Sequence, residues 1–361
     1  MLGSSMNFPR RTATAVALAA TLSGALAAAG CQANTPPDDA KEAEVQGNAT
    51  PAESPRTEES GDKLAGDILN APRGLDDITD LESIGTTLAA RSGDTLAVGS
   101  VDDFRAGKAK TISLPGECGD ITTATDPDKF VAPCGDEVLF VPADSPADVS
   151  HVKVDEEFPV TAATVTETGD LYVTSRDVDR VAVYRDGSRA EEIRVEAGTD
   201  QLLAVGNGDK DDGIVRLKRA DTTIQSLDLD KSRAGGRLRV GQGLGEAATS
   251  RDGVIVVSDT IGKRIAIYTD DDVVRLHQLG LTDGSPWAVA WDAKRQLAWA
   301  TTTDNNKAQA FDISTGVPEP RGQVDTLADA QSMTVLADGT VVFASATGEG
   351  IQVVSDPALD K

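Results

Sequence analysis

From about Ile84 to Val354 the chain repeats one arrangement of apolar and polar positions. A short alternating run is followed by a Gly/Asp turn, a β-branched run, a polar loop and a second alternating run. The arrangement is clearest in residues 161–184, TAATVTETGDLYVTSRDVDRVAVY, and returns in 246–268 and 332–354. Period-two alternation rich in Val, Ile, Thr and Tyr predicts strands, and no long stretch has the helical period. The turn expected between the first two strands of each repeat falls at seven places: Gly93-Asp94, Asp126-Pro127-Asp128, Gly169-Asp170, 206–213, Asp252-Gly253, 292–295 and Asp338-Gly339. Gly and Asp suit such turns because they tolerate positive φ or bond their own backbone.

The turns recur at roughly 33 to 45 residues, the spacing of repeat units that hold about four short strands each. Closing such units around an axis leaves only short, protected sheet edges. The expected fold is therefore all-β, a seven-bladed β-propeller, with six or eight blades as the alternatives. The last repeat stops after its third strand, near Val354. A segment within residues 64–81 is expected to supply the missing outer strand and close the ring with the two chain ends.

The N-terminus reads differently. Arg10 and Arg11 precede an uncharged run, residues 12–29, which ends in Ala28-Ala29-Gly30-Cys31. Small residues before a cysteine resemble a bacterial lipobox, with Ala28 where leucine is usual and Leu26 two places earlier. The resemblance implies a signal peptide over 1–30, cleavage before Cys31, and a diacylglyceryl-modified, palmitate-type anchor on its thiol. From Gln32 to about Lys63, Pro36, Pro37, Pro51 and Pro55 sit among Asp, Glu, Asn, Thr and Ser. Such a segment buries too little apolar surface to offset its ordering entropy. Residues 31–63 are accordingly expected to be a lipidated, disordered acidic tether, and 64–361 the propeller domain.

Gly169-Asp170-Leu171-Tyr172-Val173-Thr174-Ser175, followed by Asp179-Arg180-Val181-Ala182-Val183-Tyr184, resembles an NHL-type repeat; Ser258-Asp259 with Lys263-Arg264-Ile265 repeats it. The wider pattern is similar to lactonase-like and YncE-like seven-bladed propellers. With the lipobox, it resembles actinobacterial envelope lipoproteins of the LppL type. That resemblance implies a place on the extracytoplasmic face of the cell membrane more than an activity.

Charge and cysteines narrow the partners. With 59 acidic against 34 basic residues and a net charge of -25, the chain lacks the clustered cations that neutralise phosphate backbones, which excludes nucleic acid. The expected state is a monomer, held at the membrane only through Cys31. Cys118 and Cys134 remain in an oxidising compartment, which favours a disulfide. In the repeat frame Cys118 precedes the first strand of the second unit and Cys134 ends its second strand, so antiparallel pairing brings them together.

Candidate chemistry is sparse. His151 and His277 both fall in outermost strands, away from any channel, which argues against histidine catalysis. No serine elbow, phosphate loop or zinc spacing occurs. Asn207, Asp209, Asp211 and Asp212 lack the register of a calcium loop and read as a solvated hairpin. No cofactor is expected, a divalent cation such as calcium being the alternative. Trp287, Trp291 and Trp299 fall in one repeat, as packing residues or, for Trp287, at the channel mouth. By analogy with where propellers bind, the candidate face is the one bearing the disulfide, with Arg176, Asp177, Asp200, Arg219, Glu246, Asp259, Trp287, Asp304 and Asn305. The expected role is a binding or scaffolding module for an envelope protein, glycan or small ligand. The alternative is a lactonase-like or sugar-acid hydrolase, metal-assisted, which needs carboxylates converging on the channel.

Overall fold

The computed structural model describes residues 49–57, 59–116, 118–125, 128–208, 210–270 and 273–360. Cys31, the expected signal peptide and the expected tether as far as residue 48 lie outside them, as does Asp209.

β1 (Asp67–Leu69) is separated from the strands that follow it. One antiparallel sheet is formed by β2 (Asp80–Ile84), β3 (Thr87–Ser92), β4 (Thr95–Ser100) and β5 (Lys110–Ser113). The next holds β6 (Thr122–Thr125), β7 (Asp128–Cys134), β8 (Glu137–Pro142) and β9 (Ser150–Lys153). An eight-stranded sheet follows. Its first half is β10 (Ala162–Val165), β11 (Leu171–Thr174), β12 (Arg180–Arg185) and β13 (Ser188–Arg194). Its second half is β14 (Gln201–Asn207), β15 (Lys210–Lys218), β16 (Thr223–Asp228) and β17 (Arg233–Arg239). The halves meet at β13 and β17 through the parallel pair Arg194 and Arg233.

Two further four-stranded sheets hold β18 (Leu244–Thr249), β19 (Val254–Asp259), β20 (Arg264–Asp270) and β21 (Val274–Leu281), then β22 (Pro286–Asp292), β23 (Leu297–Thr302), β24 (Lys307–Asp312) and β25 (Glu319–Asp325). The last sheet has β26 (Ala330–Val335), β27 (Val341–Ser345) and β28 (Ile351–Val354), with β1 as its fourth strand. Neighbour contacts run β2–β6–β10–β14–β18–β22–β26 and back to β2, so the described chain is a ring of sheets, a β-propeller.

The burial gradient explains the sequence pattern. Middle strands such as β11, β23 and β27 are buried along their whole length, which is why they read as unbroken β-branched and apolar runs. Outer strands β5, β9 and β13 are largely exposed and charged. Apolar clusters lie between neighbouring sheets. Leu88, Leu81 and Phe104 pack against Val342, Ile351 and Val353, for example, joining the first sheet to the last.

Ring closure follows the expectation. Asp67, Ile68 and Leu69 pair antiparallel with Val353, Gln352 and Ile351, so the N-terminal strand completes the C-terminal sheet. Two sequence-based boundaries need correction. The Gly93-Asp94 turn joins the second and third strands of its sheet, not the first and second, and the sheet begins at Asp80 rather than near Ile84. The cause is two consecutive tight turns of the same kind: Gly85 and Gly93 both have positive φ, between Ile84 and Thr87 and between Ser92 and Thr95. Residues 49–57 and 59–63, grouped with the tether for their composition, are hydrogen-bonded to the ring. Thr50 donates its N–H to Gln242 O at 3.1 Å and Gly61 to Thr326 O at 2.9 Å. Asn306 Nδ2 donates to Thr57 O at 3.2 Å and to Glu59 O at 2.6 Å. Backbone hydrogen bonding, rather than apolar burial, orders this segment.

Cys118 and Cys134 form a disulfide, with Cα atoms 4.1 Å apart across an isolated antiparallel bridge. It closes a loop of sequence separation 16, for which the chain-entropy relation gives about 3 kcal/mol. The Cys118→Ser/Cys134→Ser protein is expected to melt about 5–10 °C lower, read by scanning calorimetry with and without reductant.

Candidate functional site

The inner strands of the ring start at one face, and the polar residues at those starts converge there. Asp80 opens β2, Asp120 precedes β6, Asp200 precedes β14, Glu246 lies in β18, Trp287 in β22 and Gln331 in β26. All but Trp287 line a narrow axial channel of about 70 Å³. Over its mouth lies a wider cavity of about 560 Å³, walled on one side by residues 51–54 and 56, and on the other by Arg176, Arg219, Trp287 and Gln331.

Arg219 organises the mouth. It begins a short 3-10 turn, Arg219–Asp221, between β15 and β16. Its backbone N–H donates to Asp200 Oδ2 at 2.6 Å and its Nε to Gly245 O at 2.9 Å. Its guanidinium pairs with Glu246 and lies 5.6 Å from the centre of the Trp287 ring, a cation–π contact. Arg176 reaches the same Asp200 from the loop between β11 and β12, at 2.8 Å.

Across the channel Arg91 bridges two carboxylates. Its Nε meets Asp80 Oδ2 at 3.4 Å and its Nη2 meets Asp120 Oδ1 at 3.2 Å, while Ile121 N–H also donates to Asp80 at 2.5 Å. Glu82, two positions along β2, has no Lys or Arg partner among the described residues; the Ser83 N–H is its hydrogen-bond donor.

Burial and mutual repulsion favour protons here. Burial pushes Asp80 up to about 6; Arg91 opposes this and Asp120 adds to it. Burial also drives Glu246 up to about 7, against the pull of Arg219 and with the help of Asp120, Asp80 and Asp200. Glu82 is raised well above the carboxylate range by burial, then by Asp80 and Asp120.

All three groups bind protons more tightly in the folded chain than in the unfolded one. The stability linked to them is present at low pH and is lost as pH rises, through about 6 for Asp80 and about 7 for Glu246. Opposing this at the acid end, Asp312 is held down to about 2 by hydrogen bonds from Ser314 and Arg321, so its contribution disappears only in strong acid. The melting temperature is expected to peak near pH ~4 and fall toward pH ~7. Glu82→Gln should flatten that fall; an unchanged slope in a pH series of melts would contradict the assignment.

The structure brings together five of the predicted face residues: Arg176, Asp200, Arg219, Glu246 and Trp287. Asp177 is exposed on the loop beside Arg176. Asp259 is 1% exposed and committed to the fold, accepting from the N–H groups of Gln242, Gly243 and Gly262 and pairing with Arg264 at 3.0 Å. Asp304 accepts from Ser285 N–H at 2.8 Å, and Asn305 donates to Asp283 O at 3.0 Å. These two shape a loop, and Thr57 of the N-terminal segment rests on it through Asp304 O.

Sequence reasoning missed Asp80, Glu82, Arg91 and Asp120. The signal was the i, i+2 pair of acids in Asp80-Leu81-Glu82, which the one-strand slip in the first sheet had moved off the channel. His151 and His277 lie in the outer strands β9 and β21. In the β14–β15 hairpin, Asn207 Nδ2 donates to Asp211 O and Asp212 accepts from Glu167 N–H. Among the described residues no group of three or more His, Cys, Asp or Glu is placed to hold a metal ion.

No protein-family model matches the sequence, and no curated protein matches it. Solved structures match in shape. Streptogramin B lyase gives a TM-score of 0.63 at 12% identity, over 81% of this chain and 97% of that one. Virginiamycin B lyase from Staphylococcus aureus gives 0.61 at 13%, over 81% and 99%. The WD40 β-propeller domain of Doa1 gives 0.58 at 12%, over 80% and 96%. At such identities these likenesses establish the fold alone, and that fold is the β-propeller.

Proposed function

We propose that this chain is a lipid-anchored, extracytoplasmic binding module, a seven-bladed propeller that takes a ligand at the mouth of its axial channel. The blade count treats the eight-stranded sheet as two blades touching at the single parallel pair of Arg194 and Arg233. Supporting it are seven apolar clusters among the described residues, each spanning two neighbouring four-stranded units. The anchor rests on the lipobox-like ending at Cys31, and kinship with actinobacterial lipoproteins of the LppL type rests on the order of lipobox, acidic segment and propeller. The chain is read as a monomer whose ligand is an envelope component or small molecule.

The observation that carries the binding role is the Arg219 group. A guanidinium paired with Glu246, stacked on Trp287 and facing a cavity of about 560 Å³ is more polar organisation than sheet packing requires. The test is affinity capture from membranes with the lipidated protein, beside Cys31→Ser and Trp287→Ala. A specific companion that survives delipidation in detergent but is lost in Trp287→Ala supports the reading. Equal recovery from wild type and Trp287→Ala removes the mouth as the site.

A hydrolase is the second reading. Glu246, pushed up to about 7 by burial, can hold a proton at neutral pH as a general acid does. Turnover of lactones or sugar-acid esters that disappears in Glu246→Gln would favour it over binding alone.

A further inference from the structure

The cavity at the mouth and the channel beneath it differ in charge. Arg56, Arg176 and Arg219 face the cavity. The channel wall carries five carboxylates, Asp80, Glu82, Asp120, Asp200 and Glu246, and among the described lining residues no lysine, arginine or histidine. The cations that balance it approach from outside the wall: Arg91 serves Asp80 and Asp120, Arg176 serves Asp200, and Arg219 serves Glu246. Glu82 is left over.

A second observation points into the same space. Ser332, on β26 beside β2, lines the channel and is 6% exposed, yet its Oγ has no hydrogen-bond partner among the described residues. A buried hydroxyl without a partner is costly, because it has given up its bonds to water. Its neighbours do pair across the same strands, Ser83 Oγ with Thr334 Oγ1 at 2.7 Å. An unpaired carboxylate and an unpaired hydroxyl therefore border one void.

The size and layout of the void select the occupant. A water molecule needs roughly 10–15 Å³ of such space, so a channel of about 70 Å³ admits an ammonium head with a slim methylene stem. A metal ion needs several converging ligands, and no such group occurs among the described residues.

We propose that the channel binds the ammonium group of an aliphatic amine, with Glu82 as its counter-ion and Ser332 Oγ as an additional hydrogen-bond acceptor. The rest of the amine lies in the cavity above, against Trp287. This deepens, and rests on, the reading of the mouth as a ligand site. Glu82 faces Asp80 on its own strand, Asp120 before β6 and Glu246 on β18, and these repel its charge when the channel is empty. An ammonium ion reverses that, so binding drives a proton off Glu82 and strengthens as pH rises.

The test is isothermal calorimetry of the protein with cadaverine, in buffers of different ionisation enthalpy, beside tetramethylammonium, which has no N–H donor. Saturable cadaverine binding with proton release is expected, with tetramethylammonium silent. Glu82→Gln should weaken binding at least about tenfold and reduce the proton release. Glu82→Gln also removes a repelled charge, so its melting temperature at pH ~7.5 should not fall and lost binding is not lost folding. Binding unchanged in Glu82→Gln, equal binding of tetramethylammonium, or no saturable heat each overturns the proposal. Failure of the mouth reading looks different: Trp287→Ala then binds cadaverine as wild type does, with the Glu82 dependence intact.

Discussion

A chain that begins at Ala71, and so lacks β1, is expected to melt at least about 10 °C lower than one reaching back to residue 49, with a broader transition. The lost contacts are specific. Three ladder pairs between β1 and β28 disappear. Leu69, 6% exposed, leaves a cluster that includes Leu75, Ile78, Ile351 and Val353. Gln352 Nε2 loses Ala65 O, its acceptor at 3.0 Å, and the Leu64–Asp325 bridge goes with it. The larger effect is topological, because the last sheet then faces solvent with an unpaired edge. Gly66→Ala tests the same junction without truncation. Gly66 has φ of +74°, and a Cβ there would stand 1.9 Å from Val353 O, so β1 could not enter as it does. Calorimetry on both proteins decides the matter, and a melt unchanged by either removes β1 as the clasp.

Trp299→Ala is expected to cost about 3–5 kcal/mol, while Trp299→Phe costs far less. Trp299 on β23 is fully buried, in a cluster with Ala288, Ala290, Ala308, Ala310 and Ala330 and with Leu327, Met333 and Phe343. Truncation to alanine leaves a void that these neighbours fill only in part. Its Nε1, however, has no hydrogen-bond partner among the described residues. Phenylalanine removes that unpaired donor as it removes volume, so the two effects offset. Urea unfolding of both variants separates them; equal losses would show that the donor is satisfied.

The fold was legible because the middle strands are buried on both faces and bounded by Gly/Asp turns, so β11, β19 and β27 stand out from any background. The missing outer strand in residues 64–81 was legible as a shortage at the other end of the chain. The first sheet was not, since Gly85 and Gly93 make two alike turns and either one fits the frame. The face of the candidate site was legible from repeat position, and Arg176, Asp200, Arg219, Glu246 and Trp287 do meet there. The acids of the first sheet were hidden by the slip. The ordering of residues 49–57 and 59–63 was hidden for another reason: it depends on donors such as Asn306 Nδ2, which lies 249 and 247 residues along the chain from its acceptors Thr57 and Glu59. Composition carries no trace of such partners.

The clasp also sets an order of events. A ribosome makes β1 before any other strand of the ring, and its partner, Ile351 to Val353, almost last. Until then β1 has nothing to pair with, and the chain must hold the other sheets in a partly open stack. Completion of the ring is thus a late, long-range step that no amount of local strand propensity can hasten. A nascent chain arrested before Ile351 would leave β27 as a raw sheet edge and β1 without a partner.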